Sequence, residues 1–156
     1  MTGGESANAQ LARKPLVTSV EVTPPPGFSQ HELLDPFEAH MGPFFERVDA
    51  EGNHVGAFIT DERHLRADGS VHEGMMMTFA DTFLGGAALR SSQSKSCVTM
   101  SLQTSFLADL TQGDLVECHT KVDKQTRTVV FVSARFTVDG KPVMTATGLW
   151  RMVGTR

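Results

Sequence analysis

One carboxylate stands out in this chain because it interrupts an otherwise apolar segment. Residues 75–89 read MMMTFADTFLGGAAL, and Asp81 is the only ionisable residue among them. In a helix that turns about 100° per residue, apolar side chains cover nearly the whole circumference of this segment, so the helix must be buried on most sides. A carboxylate there is costly unless it is paired, hydrogen-bonded or hydrated. We therefore interpret Asp81 as a functional residue; the alternative is a structural carboxylate that binds main-chain N–H groups or an arginine.

The segment before this helix contains a second carboxylate. Residues 64–74 read HLRADGSVHEG, in which Ser70 and Glu73 match a capping box and predict a helix start near Val71. The N–H groups of a first helical turn point outward at the positive end of the dipole, where they can stabilise an oxyanion. Asp81 follows Glu73 by eight positions, or about 12 Å at 1.5 Å per residue. The two carboxylates are therefore too far apart to act as a pair within one chain.

Two glycines lie in the same predicted helix. Gly85 and Gly86 each cost about 1 kcal/mol relative to alanine in a helix interior. Their presence predicts a close approach to the helix backbone, either by a second helix across a two-fold axis or by a bound ligand.

The elements that must position these residues are predicted to be a sheet around the helix. In residues 98–106, Val98, Met100 and Leu102 alternate with polar residues in a clean period of two. Asp139 and Gly140 mark a tight hairpin turn. A short helix is expected over 33–41 and a leader outside the core over 1–28, with the domain itself spanning 29–156. The six predicted strands are 44–48, 55–60, 98–106, 116–123, 130–138 and 144–152.

The fold class predicted from this order is α+β. An antiparallel sheet that curls around a single helix covers the helix and lets each strand keep one face on the core. The length of 156 residues fits one domain.

Composition narrows the class of protein further. The net charge of -4 argues against binding of a nucleic-acid backbone, for which a basic stripe is normal. Cys97 and Cys118 are expected to be free thiols in a reducing compartment, and no Cys/His spacing predicts a metal site. No run of about 18 apolar residues predicts a membrane helix, and no signal peptide is recognised, so we expect a cytoplasmic protein.

The segment from His64 to Leu89 resembles the signature of the PaaI-type hot-dog thioesterases, which are relatives of phenylacetyl-CoA and 4-hydroxybenzoyl-CoA thioesterases. Their pattern is approximately N-x-x-G-x-x-H-G-G, followed by an acidic residue near the middle of the next helix. Gly69, His72, Gly74 and Asp81 stand at the corresponding positions. The resemblance implies a hot-dog fold, in which a curved antiparallel six-stranded sheet wraps one long central helix. It also implies homodimers joined edge to edge by their sheets, often paired again into tetramers.

The resemblance further implies an activity and a set of roles. The reaction would be hydrolysis of an acyl-CoA to the free acid and CoA, with no cofactor apart from the CoA of the substrate. Asp81 would be the nucleophile or general base, and Thr99 would help to place the water. The Glu73 N–H of the other subunit would polarise the thioester carbonyl, and His72 would line the site and position the substrate.

This sequence departs from the family pattern at two positions. Arg66 replaces the asparagine, where a guanidinium could pair with Asp81 or bind a substrate anion. Glu73 replaces the first glycine of H-G-G, either as a helix-capping residue or as a contributor to catalysis, while Gly74 keeps the second glycine and is expected to contact substrate. These changes favour one alternative function, a non-catalytic module that binds acyl-CoA. A hot-dog hydratase is disfavoured because its motif is absent.

Two cations follow the predicted helix. Arg90 and Lys95 are candidates for binding the CoA phosphates, with solvated surface charges as the alternative.

Overall fold

A computed structural model describes residues 21–33 and 35–154 and shows one antiparallel sheet around a 20-residue helix. Its α-helices are α1 (Pro36–Met41) and α2 (Glu73–Ser92), and a 3-10 helix spans Glu62–His64. The strands are β1 (Ser29–Gln30), β2 (Phe45–Val48), β3 (His54–Ile59), β4 (Ser96–Phe106), β5 (Leu115–Gln125), β6 (Val129–Val138) and β7 (Lys141–Val153). Their order across the sheet is β1-β2-β3-β5-β6-β7-β4, so β1 and β4 form the edges of the sheet in the described part of the chain.

Phenylalanine side chains hold α2 against the sheet. The Phe79 ring lies with its centroid 5.4 Å from that of Phe44, 4.6 Å from Phe58 and 4.9 Å from Phe83. Each buried aromatic ring removes about 150–250 Å² of surface from water, so this cluster fixes the rotation of the helix. Asp81 lies two residues from both Phe79 and Phe83, and at 100° per residue it points to the opposite side of α2.

The predicted architecture is confirmed, including the long buried helix and the six predicted strands. The β6–β7 turn is confirmed as well: Asp139 and Gly140 have φ of 48° and 74°, the positive values that a type I′ hairpin requires. A seventh strand, β1, pairs with β2 through only two residues and was not predicted.

The predicted start of the first helix was wrong. α1 begins at Pro36 instead of Leu33, and Asp35 has an extended conformation with ψ of 133°. A proline ring disfavours the helical conformation of the residue before it, so the helix starts at Pro36.

The alternation predicted for β4 was also wrong in its middle. A β-bulge interrupts the pairing of β4 with β7 between Thr99 and Ser101. A bulge adds one residue to one strand and re-aims the side chains around it. As a result Thr99 and Leu102, which a strict period of two would place on opposite faces, line the same cleft.

Part of the predicted leader lies outside the described residues, which begin at 21. Within 21–28, Pro25 is buried and the Arg47 guanidinium lies 5.1 Å from the centre of the Phe28 ring.

Both cysteines are free. Among the residues described, no helix is long and apolar enough to span a membrane.

Candidate active site

Asp81 faces a cleft between α2, β4 and α1. The Thr99 hydroxyl on β4 donates a hydrogen bond to Asp81 Oδ1 at 2.7 Å. The cleft has a volume of about 350 Å³, and its lining mixes apolar side chains with hydroxyls and two carboxylates: Phe37, Glu38, Met77, Thr78, Asp81, Thr82, Thr99 and Leu102. The solitary acid of the apolar helix is therefore hydrogen-bonded and open to a concave surface, and the structure brings the predicted pair Asp81 and Thr99 together.

The second carboxylate of the cleft was missed by sequence reasoning. Glu38 on α1 reaches the cleft, and its Oε1 lies 2.7 Å from the Thr82 hydroxyl oxygen. Burial is the main cause that raises the pKa of Glu38, and the charges of Asp35 and Asp81 add to it. The only signal in the sequence was a glutamate on a short helix, and nothing local links that helix to a residue 43 positions later.

The start of α2 differs from the prediction. His72 is the N-cap, and its Nδ1 accepts a hydrogen bond from the Gly74 N–H at 2.9 Å. Ser70 was predicted to cap the helix, but its hydroxyl binds Asp68 and Arg66 in the preceding turn. The prediction failed because an imidazole nitrogen is an equally good acceptor for these N–H groups. A side chain at Gly74 would place its Cβ 3.0 Å from His72 Nδ1, which accounts for a glycine there.

Arg66 and Glu73 form an ion pair at this helix terminus. Arg66 Nη1 donates to Glu73 Oε1 at 2.6 Å, and Arg66 Nε donates to the Ser70 hydroxyl at 2.9 Å. The guanidinium therefore pairs with Glu73 within the chain, not with Asp81 as one sequence interpretation proposed. The Glu73 N–H is at the first position of α2, where a helix provides no acceptor of its own. A main-chain donor beside a neutralised carboxylate can polarise a carbonyl oxygen.

The close approach predicted at the helix glycines comes from within the chain. A Cβ at Gly85 would lie 3.1 Å from Nε1 of Trp150, which is fully buried on β7. Thr99 pairs with Trp150 in the β4–β7 register, so one turn of α2 sets Asp81 over Thr99 and the next sets Gly85 over the indole. At Gly86 a Cβ would meet only the Arg90 guanidinium, at 3.2 Å.

A cysteine nucleophile is disfavoured beside Asp81. Burial, and then the negative charge of Asp81, raise the pKa of the Cys97 thiol. A raised pKa keeps a thiol protonated, and the protonated form is a poor nucleophile. In the part of the chain that the structure describes, no group of three or more His, Cys, Asp or Glu side chains is arranged to hold a metal ion.

The cations predicted to bind phosphate lie away from this cleft. Arg90 lines a separate groove with Lys121, and Lys95 is exposed in the turn after α2. A larger concave surface of about 680 Å³ contains Arg127 and Arg151 beside the exposed side chains of Val98 and Met100. Sequence reasoning did not single out these two arginines. Arg127 lies in the turn between β5 and β6 and Arg151 lies 24 residues later on β7, so no local pattern links them.

The predicted site residues thus form two groups. Asp81 and Thr99 lie together in the cleft, and His72, Glu73, Gly74 and Arg66 lie together at the start of α2, two helical turns away. None of the second group lines the Asp81 cleft within one chain. A site that uses both groups requires two chains.

Comparison with known proteins assigns the family. Residues 68–145 match the model of the Thioesterase superfamily, a range that includes Asp81, Thr99 and the start of α2. The chain belongs to the thioesterase superfamily. It is also 35% identical to PA0474 of Pseudomonas aeruginosa, a protein with a provisional esterase name, over 82% of this chain and 96% of the relative.

Solved structures show that this superfamily member has the hot-dog fold. A hypothetical thioesterase from Streptococcus pneumoniae TIGR4, solved with coenzyme A, matches with a TM-score of 0.65 and 21% identity, covering 72% of this chain and 90% of that one. The E. coli PaaI protein of the phenylacetic acid degradation operon matches with a TM-score of 0.60 and 21% identity, covering 65% and 73%. The predicted resemblance to PaaI-type hot-dog thioesterases is confirmed.

Proposed function

We propose that this protein hydrolyses acyl-CoA thioesters to the free acid and CoA, with Asp81 as the catalytic carboxylate. The observation that carries the proposal is the hydrogen-bonded Asp81 at the wall of a mainly apolar cleft, in the central helix of a thioesterase-superfamily fold. An apolar cleft accepts an acyl group, and a carboxylate is a suitable base for water.

The two oxygen atoms of the Asp81 carboxylate have different roles. The Thr99 hydroxyl occupies Oδ1, and no described residue hydrogen-bonds to Oδ2. Oδ2 accepts a proton from water as the water oxygen attacks the thioester carbonyl. The hydrogen bond from Thr99 fixes the plane of the carboxylate and so holds the base in one orientation. Orientation of a catalytic group contributes much of its effect on the rate. Direct attack by the same oxygen, with an anhydride intermediate, uses the same geometry.

The oxyanion is stabilised by the start of α2 from a second copy of the chain. Negative charge that develops on the carbonyl oxygen is bound by the Glu73 N–H at the positive end of the helix dipole. Glu73 does not oppose this charge because Arg66 neutralises its carboxylate at 2.6 Å. His72 and Gly74 hold this turn in place through their own hydrogen bond.

The second copy joins at β4. Among the described residues, no strand pairs with the outer edge of β4, and the Val98 and Met100 side chains are 58% and 57% exposed. An unpaired edge with exposed apolar side chains is a ready site for strand addition. Pairing of two β4 edges brings a second chain next to Thr99, which a shared active site requires. We therefore propose a homodimer. The molecular mass in solution distinguishes a dimer from a tetramer made of two dimers.

The CoA phosphates are bound by Arg127 and Arg151. Both arginines line the concave surface of about 680 Å³ that also includes Val98 and Met100 of β4. Arginine is well suited to phosphate because its planar fork donates two parallel hydrogen bonds. Removal of either arginine is expected to raise KM for acyl-CoA and to leave KM for a short thioester without the nucleotide unchanged. Arg90→Ala and Lys95→Ala are the comparison variants, because these two cations lie elsewhere on the surface.

A panel of acyl-CoAs with a thiol-detecting reagent tests the function. Wild type should release CoA from at least one acyl-CoA, and Asp81→Asn should lose about 10²-fold or more of kcat, the range for loss of a general base. Asp123→Asn is the matched control, because Asp123 is a partly exposed carboxylate that pairs only with Lys121 at 3.5 Å. Near-normal turnover by Asp81→Asn would contradict the mechanism. Binding of acyl-CoA by wild type without any CoA release would favour the non-catalytic module.

A further inference from the structure

One hydroxyl in the cleft lies between two oxygen atoms that can each accept its hydrogen. Thr82 Oγ1 is 2.7 Å from Glu38 Oε1 and 3.0 Å from the carbonyl oxygen of Thr78. A carbonyl oxygen accepts only, and a threonine hydroxyl has a single hydrogen to donate. Thr82 either donates this hydrogen to the Glu38 carboxylate, or donates it to Thr78 and accepts a hydrogen from a protonated Glu38. Only the second arrangement makes both contacts hydrogen bonds.

The surroundings of Glu38 favour the same state. The charged groups that face it are Asp35 at the start of its own helix, His31 from the segment before it, and Asp81 from α2. Burial is the largest cause that raises the pKa of Glu38, and the two carboxylates add to it. The Thr82 hydrogen bond and His31 oppose the shift, and the net effect is a raised pKa.

Glu38 and Asp81 are therefore two carboxyl groups in one cleft with different surroundings. Asp81 accepts a hydrogen bond from the Thr99 hydroxyl, while burial raises the pKa of Glu38. Pairs of titratable groups whose environments separate their protonation states are the usual basis of an acid and a base in one site.

On the basis of the proposed thioester hydrolysis, we propose that Glu38 is the general acid that protonates the departing thiolate. Asp81 takes one proton from water, and the water oxygen forms a bond to the carbonyl carbon. When the tetrahedral intermediate collapses, the carbon–sulfur bond breaks and its electron pair goes to sulfur. The Glu38 carboxyl gives its proton to that sulfur, and the proton held by Asp81 then restores Glu38 through solvent. The net reaction consumes one water and yields a carboxylic acid and a thiol.

The leaving group tests this role. A general acid matters for an alkyl thiolate such as CoA and matters little for a stabilised aryl thiolate. The same acyl group, the fastest of the panel, is therefore presented on CoA and on 5-thio-2-nitrobenzoate. We expect Glu38→Gln to lower kcat for the CoA thioester by about 10²-fold, in the range for loss of an acid, and to lower it at least tenfold less for the aryl thioester. Glu32→Gln, at an exposed glutamate, is the control.

A second measurement needs no variant. Since the acid works only when protonated, wild-type kcat on the CoA thioester should fall as the pH rises through the raised pKa of Glu38, while kcat on the aryl thioester should not show this fall. Equal losses of Glu38→Gln on both thioesters, or the same fall with rising pH for both, would overturn the role of Glu38. Failure of wild type to hydrolyse either thioester would instead overturn the proposed function, so the two failures are distinguishable.

Discussion

Removal of Arg66 should slow thioester hydrolysis although Arg66 does not contact Asp81. Its guanidinium neutralises Glu73, the residue whose N–H is proposed to bind the oxyanion. In Arg66→Ala the Glu73 carboxylate is left unpaired beside developing negative charge. At about 6 Å and an effective dielectric constant of about 20, two unit charges repel by about 3 kcal/mol. The Arg66 and Glu73 side chains are 35% and 43% exposed, so solvent screening reduces this to about 1 kcal/mol.

A penalty of about 1 kcal/mol corresponds to about a fivefold loss of kcat. The assay is a double-mutant cycle of Arg66→Ala and Glu73→Gln, read as kcat on the best acyl-CoA. The double variant has no net charge at this pair, like wild type, so adding Glu73→Gln to Arg66→Ala should restore most of the lost kcat. Arg135→Ala, at an exposed strand position, controls for a general change in charge. A double variant as slow as Arg66→Ala would refute the electrostatic reasoning and indicate a structural role for Arg66.

Three further predictions concern the carboxylate, the core and pH. Thr99→Val should lower kcat by about tenfold, because a hydrogen bond to a charged group contributes about 1.5 kcal/mol or more, whereas Thr99→Ser should retain activity; equal kcat for both variants would contradict it. His64 is buried, and burial lowers its pKa from the ordinary 6.5. The unfolded state therefore binds more protons than the folded state below about pH 6.5. As the pH falls through that range, the free energy of unfolding should decrease by up to about 1.4 kcal/mol per pH unit. Urea unfolding at several pH values should show this slope in wild type and a smaller slope in His64→Asn. Gly85→Ala should lower Tm because the buried Trp150 side chain cannot move away from the added methyl group. Gly86→Ala meets only the flexible Arg90 guanidinium and should raise the free energy of unfolding by about 1 kcal/mol. A higher Tm for Gly85→Ala would contradict the packing account.

Local sequence patterns were sufficient to predict most of the fold. The apolar circumference of residues 75–89 required a sheathed helix, and alternation in the later segments required strands that pack against it. These signals repeat over ten or more neighbouring residues, so an error at one position does not change the conclusion. The same reasoning identified Asp81, because a charge in an apolar helix is costly wherever the helix lies. Thr99 was reached through the family resemblance instead.

The predictions that failed depended on a single residue or on a distant partner. Whether Ser70 or His72 caps α2 depends on the path of the turn that carries Arg66, since several side chains can accept the same N–H groups. The bulge after Thr99 depends on the pairing of β4 with β7, which strand periodicity alone does not specify.

The sequence by itself determined that one acid interrupts an otherwise apolar central helix wrapped by an antiparallel sheet. Only the tertiary structure decided what surrounds that acid, because Glu38 reaches its cleft from an element that is remote in the chain. A periodic pattern records which face of an element is covered, and a contact between remote elements leaves no pattern in either of them.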